Sequence, residues 1–311
     1  MNITFLGTSS GVPTSTRNVS SLALKLSQNA EVFLFDCGEG TQHQLMRSNI
    51  KSSQIKKIFI THMHGDHIYG LPGLLATLGL SGNSKGIEIY GPSALRGFIN
   101  SALISSYCKL SFPLNFIEVE NFASENKILF ENDKVKVNCA CLKHKIPAYG
   151  YRVSEKDKPG VFDIKKAKSM KIPPGPIYSE LQQGKKVLLA DGRSFDGKEF
   201  CGPPRRGESF VYCSDTVFSE SAVSLSKNAD LLVHESTFSQ EDESMAFEKL
   251  HSTTIMAAKT ALLSNSKKLI ITHLSPRYNN KNAITPSDLL KEAQKVFPNT
   301  QLAKDFLTAE I

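Results

Sequence analysis

The segment Thr61-His62-Met63-His64-Gly65-Asp66-His67 constrains this chain more than any other. Three imidazoles and one carboxylate fall within six residues, directly after the apolar run Lys57–Thr61. Borderline-soft divalent metals such as zinc favour neutral imidazole and carboxylate ligands. At i and i+2, His62 and His64 can point the same way from an extended strand end. Gly65 lets the backbone turn, so Asp66 and His67 face a second position close by. One short loop can thus supply both halves of a two-metal site. The fold must then bring further ligands to this loop.

Three later residues qualify, each at the end of an expected strand. His144 follows Val135–Cys141, Asp215 follows Ser209–Cys213, and His273 follows Leu269–Thr272. Singly, each reads as a capping or core polar group. Together, their repeated placement at strand ends argues for convergence, because open α/β sheets build sites there. Expected strands also cover Ile3–Gly7, the period-two positions Leu22, Leu24 and Leu26, Val32–Phe35, Ile87–Tyr90 and Leu231–His234. Helices are expected over Ile68–Leu80, from near Pro92, and over Thr253–Leu263 and Ser287–Val296. Strands interleaved with helices indicate α/β layers around one core.

The chain has 311 residues, 40% hydrophobic and 22% charged, enough for a sizeable core. No run of 18 apolar residues exists, so no transmembrane helix is expected. Met1–Gly7 reads as a first strand and not as a signal peptide, and a cytoplasmic location is expected. The net charge of +7 favours an anionic partner such as nucleic acid. The six cysteines include no CxxC pair and read as thiols, not as a disulfide framework. Cys139 and Cys141 should share one face of their strand. Between 154 and 186, eight Lys and four Asp or Glu leave a net +4, alongside the helix breakers of Pro173-Pro174-Gly175-Pro176. This stretch reads as an inserted arm.

The HxHxDH order with the later His, Asp and His resembles the metallo-β-lactamase superfamily. That resemblance covers nearly the whole chain and implies a four-layer αββα sandwich as one domain over 1–311. It implies His62, His64 and His144 on one zinc, Asp66, His67 and His273 on the other, and Asp215 bridging both. Manganese or another divalent ion is the alternative to two zincs per subunit. Further motifs narrow the resemblance. Gly7-Thr8-Ser9-Ser10-Gly11-Val12-Pro13 leads into Arg17-Asn18, and the metal loop extends into Gly70-Leu71-Pro72-Gly73. His234-Glu235-Ser236-Thr237 is followed by His251-Ser252-Thr253. These resemble the short form of the ribonuclease Z family, endonucleases that process tRNA 3′ ends.

That family likeness implies several roles. Asp66 is the expected proton acceptor, with His251 as the acid and Glu235 orienting it. The insert over 154–190 resembles the family's flexible tRNA-binding arm, so Lys165, Lys166, Lys168, Lys171, Gly175 and Pro176 are expected to meet RNA. Arg17 and Asn18 would position the RNA 3′ end. The family's PxKxRN loop has Ser15 here in place of Lys, which bears on how precursors with an encoded CCA are treated. Precursor tRNA is the expected partner, within a homodimer and with no membrane. Asp36 is expected to support the metal loop without binding metal, His234 to be structural, and His43 to lie on a helix surface. Two competing readings stand beside this one. A small-molecule hydrolase acting on thioesters, lactones, sulfates or cyclic nucleotides explains the ligands equally well, but not the basic arm or the paired motifs. A non-catalytic RNA-binding module would be expected to have lost ligands.

Overall fold

The structure, a computed structural model, describes residues 1–28, 31–82, 86–123, 127–279 and 282–311. It divides into two compact units. The larger comprises Met1–Asn132, Lys136–Val153 and Ser209–Ile311.

Two seven-stranded sheets form its centre. Across the first, the order is Thr308–Glu310, Asn2–Gly7, Ser21–Lys25, Val32–Phe35, Ile55–Phe59, Ile87–Gly91, Leu114–Glu118. Across the second it is Thr300–Leu302, Leu269–Thr272, Leu231–Glu235, Ser209–Cys213, Ala148–Glu155, Val135–Leu142, Ile128–Glu131. Val32–Phe35, Ile55–Phe59 and Ile87–Gly91 are parallel neighbours, as are Ser209–Cys213, Leu231–Glu235 and Leu269–Thr272. Parallel strands deliver their C-terminal ends to one edge, which is where Asp36, Thr61, Asp215 and His273 emerge.

Continuous apolar strands are needed because both faces of each sheet are covered. Val32–Phe35 is buried throughout. Between the sheets lies an aromatic core. The Phe35 ring meets Phe210 edge-on at 5.4 Å and Tyr212 at 5.7 Å, while Phe59 meets Tyr151 at 5.3 Å. Tyr151 is fully buried and donates its hydroxyl to the Ile60 carbonyl at 2.6 Å. Outside the first sheet, Leu71, Leu74, Leu75, Leu95 and Ile99 pack on Leu34, Ile58 and Ile89. Outside the second, Ala257, Ala258, Ala261 and Ala293 lie against Val211, Leu232 and Ile271. Alanine lets these helices approach the sheet closely. The result is the expected helix–sheet–sheet–helix order.

Two expected elements differ in detail. The helix read over Ile68–Leu80 is two helices, Gly65–Ile68 and Leu71–Leu80. The break occurs because the Gly70 N–H leaves the helical ladder and donates to the Cys37 carbonyl at 2.9 Å. The strand read to Thr61 ends at Phe59, because the Thr61 N–H donates to the Asp36 side chain and not to a ladder carbonyl. Cys139 and Cys141 are both free thiols on Val135–Leu142, the first buried and the second exposed. Burial pushes the Cys139 thiol up to about 12.

The smaller unit comprises Asp133–Val135 and Ser154–Glu208. It has helices Ile164–Ser169 and Pro176–Gln182 and a hairpin of Lys186–Leu188 with Ser194–Asp196. Ala167, Ile172, Leu181, Val187, Leu189 and Phe200 form its own apolar core. Asp163 caps the first helix by accepting from the Lys166 N–H at 2.9 Å. Lys165, Lys168, Lys171, Gly175 and Pro176 are exposed. Lys166 is tied down: its ammonium donates to the Glu199 carbonyl at 2.6 Å and lies 5.1 Å from the Phe200 ring centre.

Candidate metal centre

At the shared edge of the two sheets, the residues expected from the sequence meet. Nε2 of His62 lies 3.0 Å from Nδ1 of His64, which lies 3.2 Å from Nε2 of His144. Oδ2 of Asp215 is 3.5 Å from the His62 nitrogen and 3.9 Å from that of His144. This is one donor group. In the second, Oδ2 of Asp66 lies 3.3 Å from Nε2 of His67 and 3.4 Å from Nε2 of His273. The other Asp215 oxygen, Oδ1, is 3.4 Å from the His67 nitrogen and 3.3 Å from that of His273. Asp215 therefore gives one oxygen to each group. A third combination, Asp215 with His251 and His273, also converges. It is the weaker one, because His251 spends Nδ1 on Glu235 at 2.9 Å.

The donor set fits a divalent metal. Ligand atoms within each group lie within 4.8 Å of one another, and imidazole with carboxylate suits zinc and its neighbours. Nε2 of His67 is buried with no hydrogen-bond partner among the described residues, an atom that a cation would satisfy. Burial first, then the neighbouring rings, pushes His62 and His64 below the usual histidine range, which keeps them neutral and able to ligate. Burial opposes charge at His67 as well, but Asp215, Asp66 and Asp36 outweigh it and hold this ring well above the usual range. The same carboxylates would favour a metal cation beside it. Burial also disfavours the charged carboxylates of Asp66 and Asp215, and the rings of His67 and His273 overcome it, so both are held well below the usual carboxylate range.

The outer nitrogens are equally defined. Nδ1 of His67 meets Oδ2 of Asp36 at 2.9 Å, and Nδ1 of His144 meets the Leu250 carbonyl at 2.9 Å. Nδ1 of His62 meets the Thr61 hydroxyl at 3.0 Å, which itself donates to Asp36 at 3.0 Å. Partners of this kind fix the tautomer and turn Nε2 inward. Asp36 is fully buried, with φ at 55°, and its carboxylate accepts from Thr61, His67 and Tyr212. The metal loop is seated by close backbone approach at Gly38, where a Cβ would stand 2.2 Å from the Asp66 carbonyl.

Glu235 is another buried carboxylate, beside His251. Oε1 accepts from the N–H groups of Thr216 and Ser252, each at 3.0 Å, and Oε2 from the N–H and hydroxyl of Thr237 at 2.9 and 2.7 Å. Burial works against a charged His251, but Glu235 and Asp215 outweigh it and push this imidazole up to about 9. His234 is buried and bonded to the Glu235 carbonyl, a structural placement, while His43 is exposed on helix Thr41–Arg47.

Arg17 and Asn18 are both bonded within the protein. Nη1 of Arg17 donates to the Thr8 hydroxyl and the Ala303 carbonyl, both at 2.7 Å, and the Asn18 amide donates to the Glu39 carbonyl at 2.8 Å. They anchor the loop whose Gly11 N–H donates to Oδ2 of Asp66 at 2.8 Å. Sequence reasoning assigned no role to Thr61, Thr237 or Gly11. The first two carried a weak signal, a hydroxyl residue beside a motif histidine or glutamate. Gly11 carried none.

Comparison with known proteins agrees with this geometry. A family model described as Anti-Pycsar protein Apyc1 matches residues 1–149, less than half of the chain. The ribonuclease Z of Prochlorococcus marinus strain MIT 9301 is 90% identical over 311 residues, covering 100% of both chains. Among solved structures, human tRNase Z, short form, is 32% identical with a TM-score of 0.71, covering 100% of this chain and 99% of that one. A metallo-β-lactamase fold protein from Bacillus subtilis has a TM-score of 0.68 at 18% identity, a likeness of fold alone. Full-length identity of this degree, together with the sandwich and its ligand cluster, means that the chain belongs to the ribonuclease Z family of endoribonucleases.

Proposed function

We propose that this chain removes the 3′ trailer from precursor tRNA, leaving a 3′-hydroxyl on the tRNA and a 5′-phosphate on the trailer. The observation that carries this reading is the full-length 90% identity to a ribonuclease Z; the division of Asp215 between two donor groups, His62 with His64 and His144, and Asp66 with His67 and His273, supplies the chemistry. Two zinc ions, or manganese in their place, would supply the positive charge that a phosphodiester needs and lower the pKa of water.

The chain's own residues do the rest. Asp66, partly open to the surface, accepts the proton of the attacking water. The ribose 3′ oxygen is a poor leaving group unless protonated. His251, kept charged by Glu235, hands it a proton from the ring nitrogen that does not face Glu235. Glu235 orients that ring while its other contacts hold it still.

RNA selection is assigned to the arm and to the loop beside the site. Exposed Lys165, Lys168 and Lys171 would meet phosphates without reading sequence, with Gly175 and Pro176 exposed beside them. Lys166, Arg17 and Asn18 would act by holding these segments in place. We further propose a homodimer in the cytoplasm, one subunit's arm serving tRNA bound at the other. The exposed side chains Met46, Tyr69, Leu80, Ile104 and Tyr107, on or beside neighbouring helices, would supply apolar surface. No helix among the described residues is long and apolar enough to cross a membrane.

The test is direct. Purified protein is incubated with a 3′-extended tRNA and both new ends are mapped. Cleavage at the tRNA 3′ end with a 5′-phosphate on the trailer is expected. Rapid turnover of a small ester with an intact precursor would overturn the proposal.

A further inference from the structure

We propose that Thr237 is a positioning residue that ties the second metal position to the proton-donating pair. The inference rests on the reading of His273 as a metal ligand. The Thr237 hydroxyl is buried and stands 2.7 Å from Oε2 of Glu235, 3.0 Å from Nδ1 of His273 and 3.3 Å from Nδ1 of His251. It also lies 3.1 Å from the His273 carbonyl.

A hydroxyl has one hydrogen and two lone pairs. The carboxylate is the nearest and strongest acceptor, so the hydrogen goes to Glu235. The lone pairs then face the histidine rings. His273 must therefore carry its proton on Nδ1, donated to Thr237, which leaves the Nε2 lone pair aimed at Asp66 and Asp215. His273 has a backbone φ of 59°, in the left-handed region.

The same device occurs on the other sheet. There Thr61 passes the hold of Asp36 to His62, while Asp36 bonds His67 directly. Here Thr237 passes the hold of Glu235 to His273, while Glu235 bonds His251 directly. Each buried carboxylate thus steers two imidazoles, one directly and one through a threonine hydroxyl. The difference is functional. Both rings steered by Asp36 belong to the donor groups, whereas Glu235 steers one donor and the proposed acid. Thr237 makes the two depend on one anchor. When this hydroxyl is removed, Glu235 keeps the N–H groups of Thr216, Ser252 and Thr237 and the His251 ring, so the loss should fall on His273.

Thr237→Val and Thr237→Ser in the full-length protein test this, with zinc retention measured by competition with a chelator and folding followed by thermal melting. Thr237→Val should lower zinc affinity roughly 10–100-fold with little change in the melt, and Thr237→Ser should restore it to within about threefold of the parent. Should the valine variant not fold, Thr237→Ala is measured against the same serine rescue. Retention by Thr237→Val equal to the parent, or serine as defective as valine, would overturn the assignment. His273→Ala separates the two layers. If it retains zinc like the parent, the ligand reading of His273 fails; if it loses zinc while Thr237→Val does not, only the role of Thr237 fails.

Discussion

Replacing Asp36 by Asn removes a charge and almost no volume, and its consequence can be followed atom by atom. The Asp36 carboxylate accepts from the Thr61 N–H at 2.8 Å, the Thr61 hydroxyl at 3.0 Å, Nδ1 of His67 at 2.9 Å and the Tyr212 hydroxyl at 3.3 Å. An amide keeps one acceptor oxygen and turns the other position into a donor. The Thr61 N–H is backbone and cannot turn away, so the amide oxygen must stay on that side. The amide nitrogen then faces His67, a donor against a donor. His67 relieves the conflict by giving up the proton on Nδ1 and keeping the one on Nε2, the atom that faces Asp66 and Asp215 at 3.3 and 3.4 Å. That proton stands where a cation should. Losing one buried charge-assisted bond costs about 1.5–3 kcal/mol, a tolerable loss for a domain with so large an aromatic core. Metal affinity should fall roughly 10–100-fold. Chelator competition reads the second quantity and thermal melting the first. A variant that holds metal as tightly as the parent and cuts at the parental rate would refute the reasoning.

Other outcomes follow from the same structure. Asp66→Ala should abolish cleavage of precursor tRNA with the circular dichroism spectrum unchanged; measurable turnover would remove Asp66 from the proton step. Replacing Lys165, Lys168 and Lys171 by Ala should lower the slope of log affinity against log salt by about 0.9 for each phosphate no longer neutralised, whereas Lys166→Ala should chiefly lower the melting temperature, since that lysine is bonded to Glu199. Gly38→Ala should impair metal retention, because the new Cβ collides with the Asp66 carbonyl; a variant with intact retention would show that the loop can shift freely. Burial raises the Glu88 carboxyl but its bonds to Lys57 and Tyr90 outweigh this and hold it below its usual range. A lowered folded value means that stability is present above the ordinary carboxylate pKa and lost as pH falls below it. Glu88→Gln should therefore flatten the acid limb of the melting curve by less than about 1 kcal/mol, the pair being partly exposed.

The ligands were legible because metal chemistry limits which residue types can serve, and because parallel strands place their ends together. The pattern of 62–67 followed by His144, Asp215 and His273 carries both facts in one dimension. What stayed hidden concerns atoms, not residues. Nothing in a letter string says that Arg17 turns its guanidinium onto Thr8 and Ala303, or that Lys166 lies over Phe200. Charge is visible in sequence, and the internal partner of a charge is not. The core of the lysine-rich insert was obscured for a similar reason. Ala167, Ile172, Leu181 and Phe200 are too widely spaced to form a periodic face. The break in the helix over 65–80 arises from one hydrogen bond between Gly70 and Cys37, a contact between residues distant in sequence.

His273 follows Leu269–Thr272, a strand late in the chain, and the last strand, Thr308–Glu310, pairs with Asn2–Gly7 at the edge of the first sheet. A nascent polypeptide therefore emerges with His62, His64, His144 and Asp215 long before the residue that closes the second donor group. A product of stalled or broken translation that ends before Leu269 would carry one half of the centre and no means to complete the other. Such fragments should leave precursor tRNA uncut, which incubation of a chain ending before Leu269 with a 3′-extended tRNA would check.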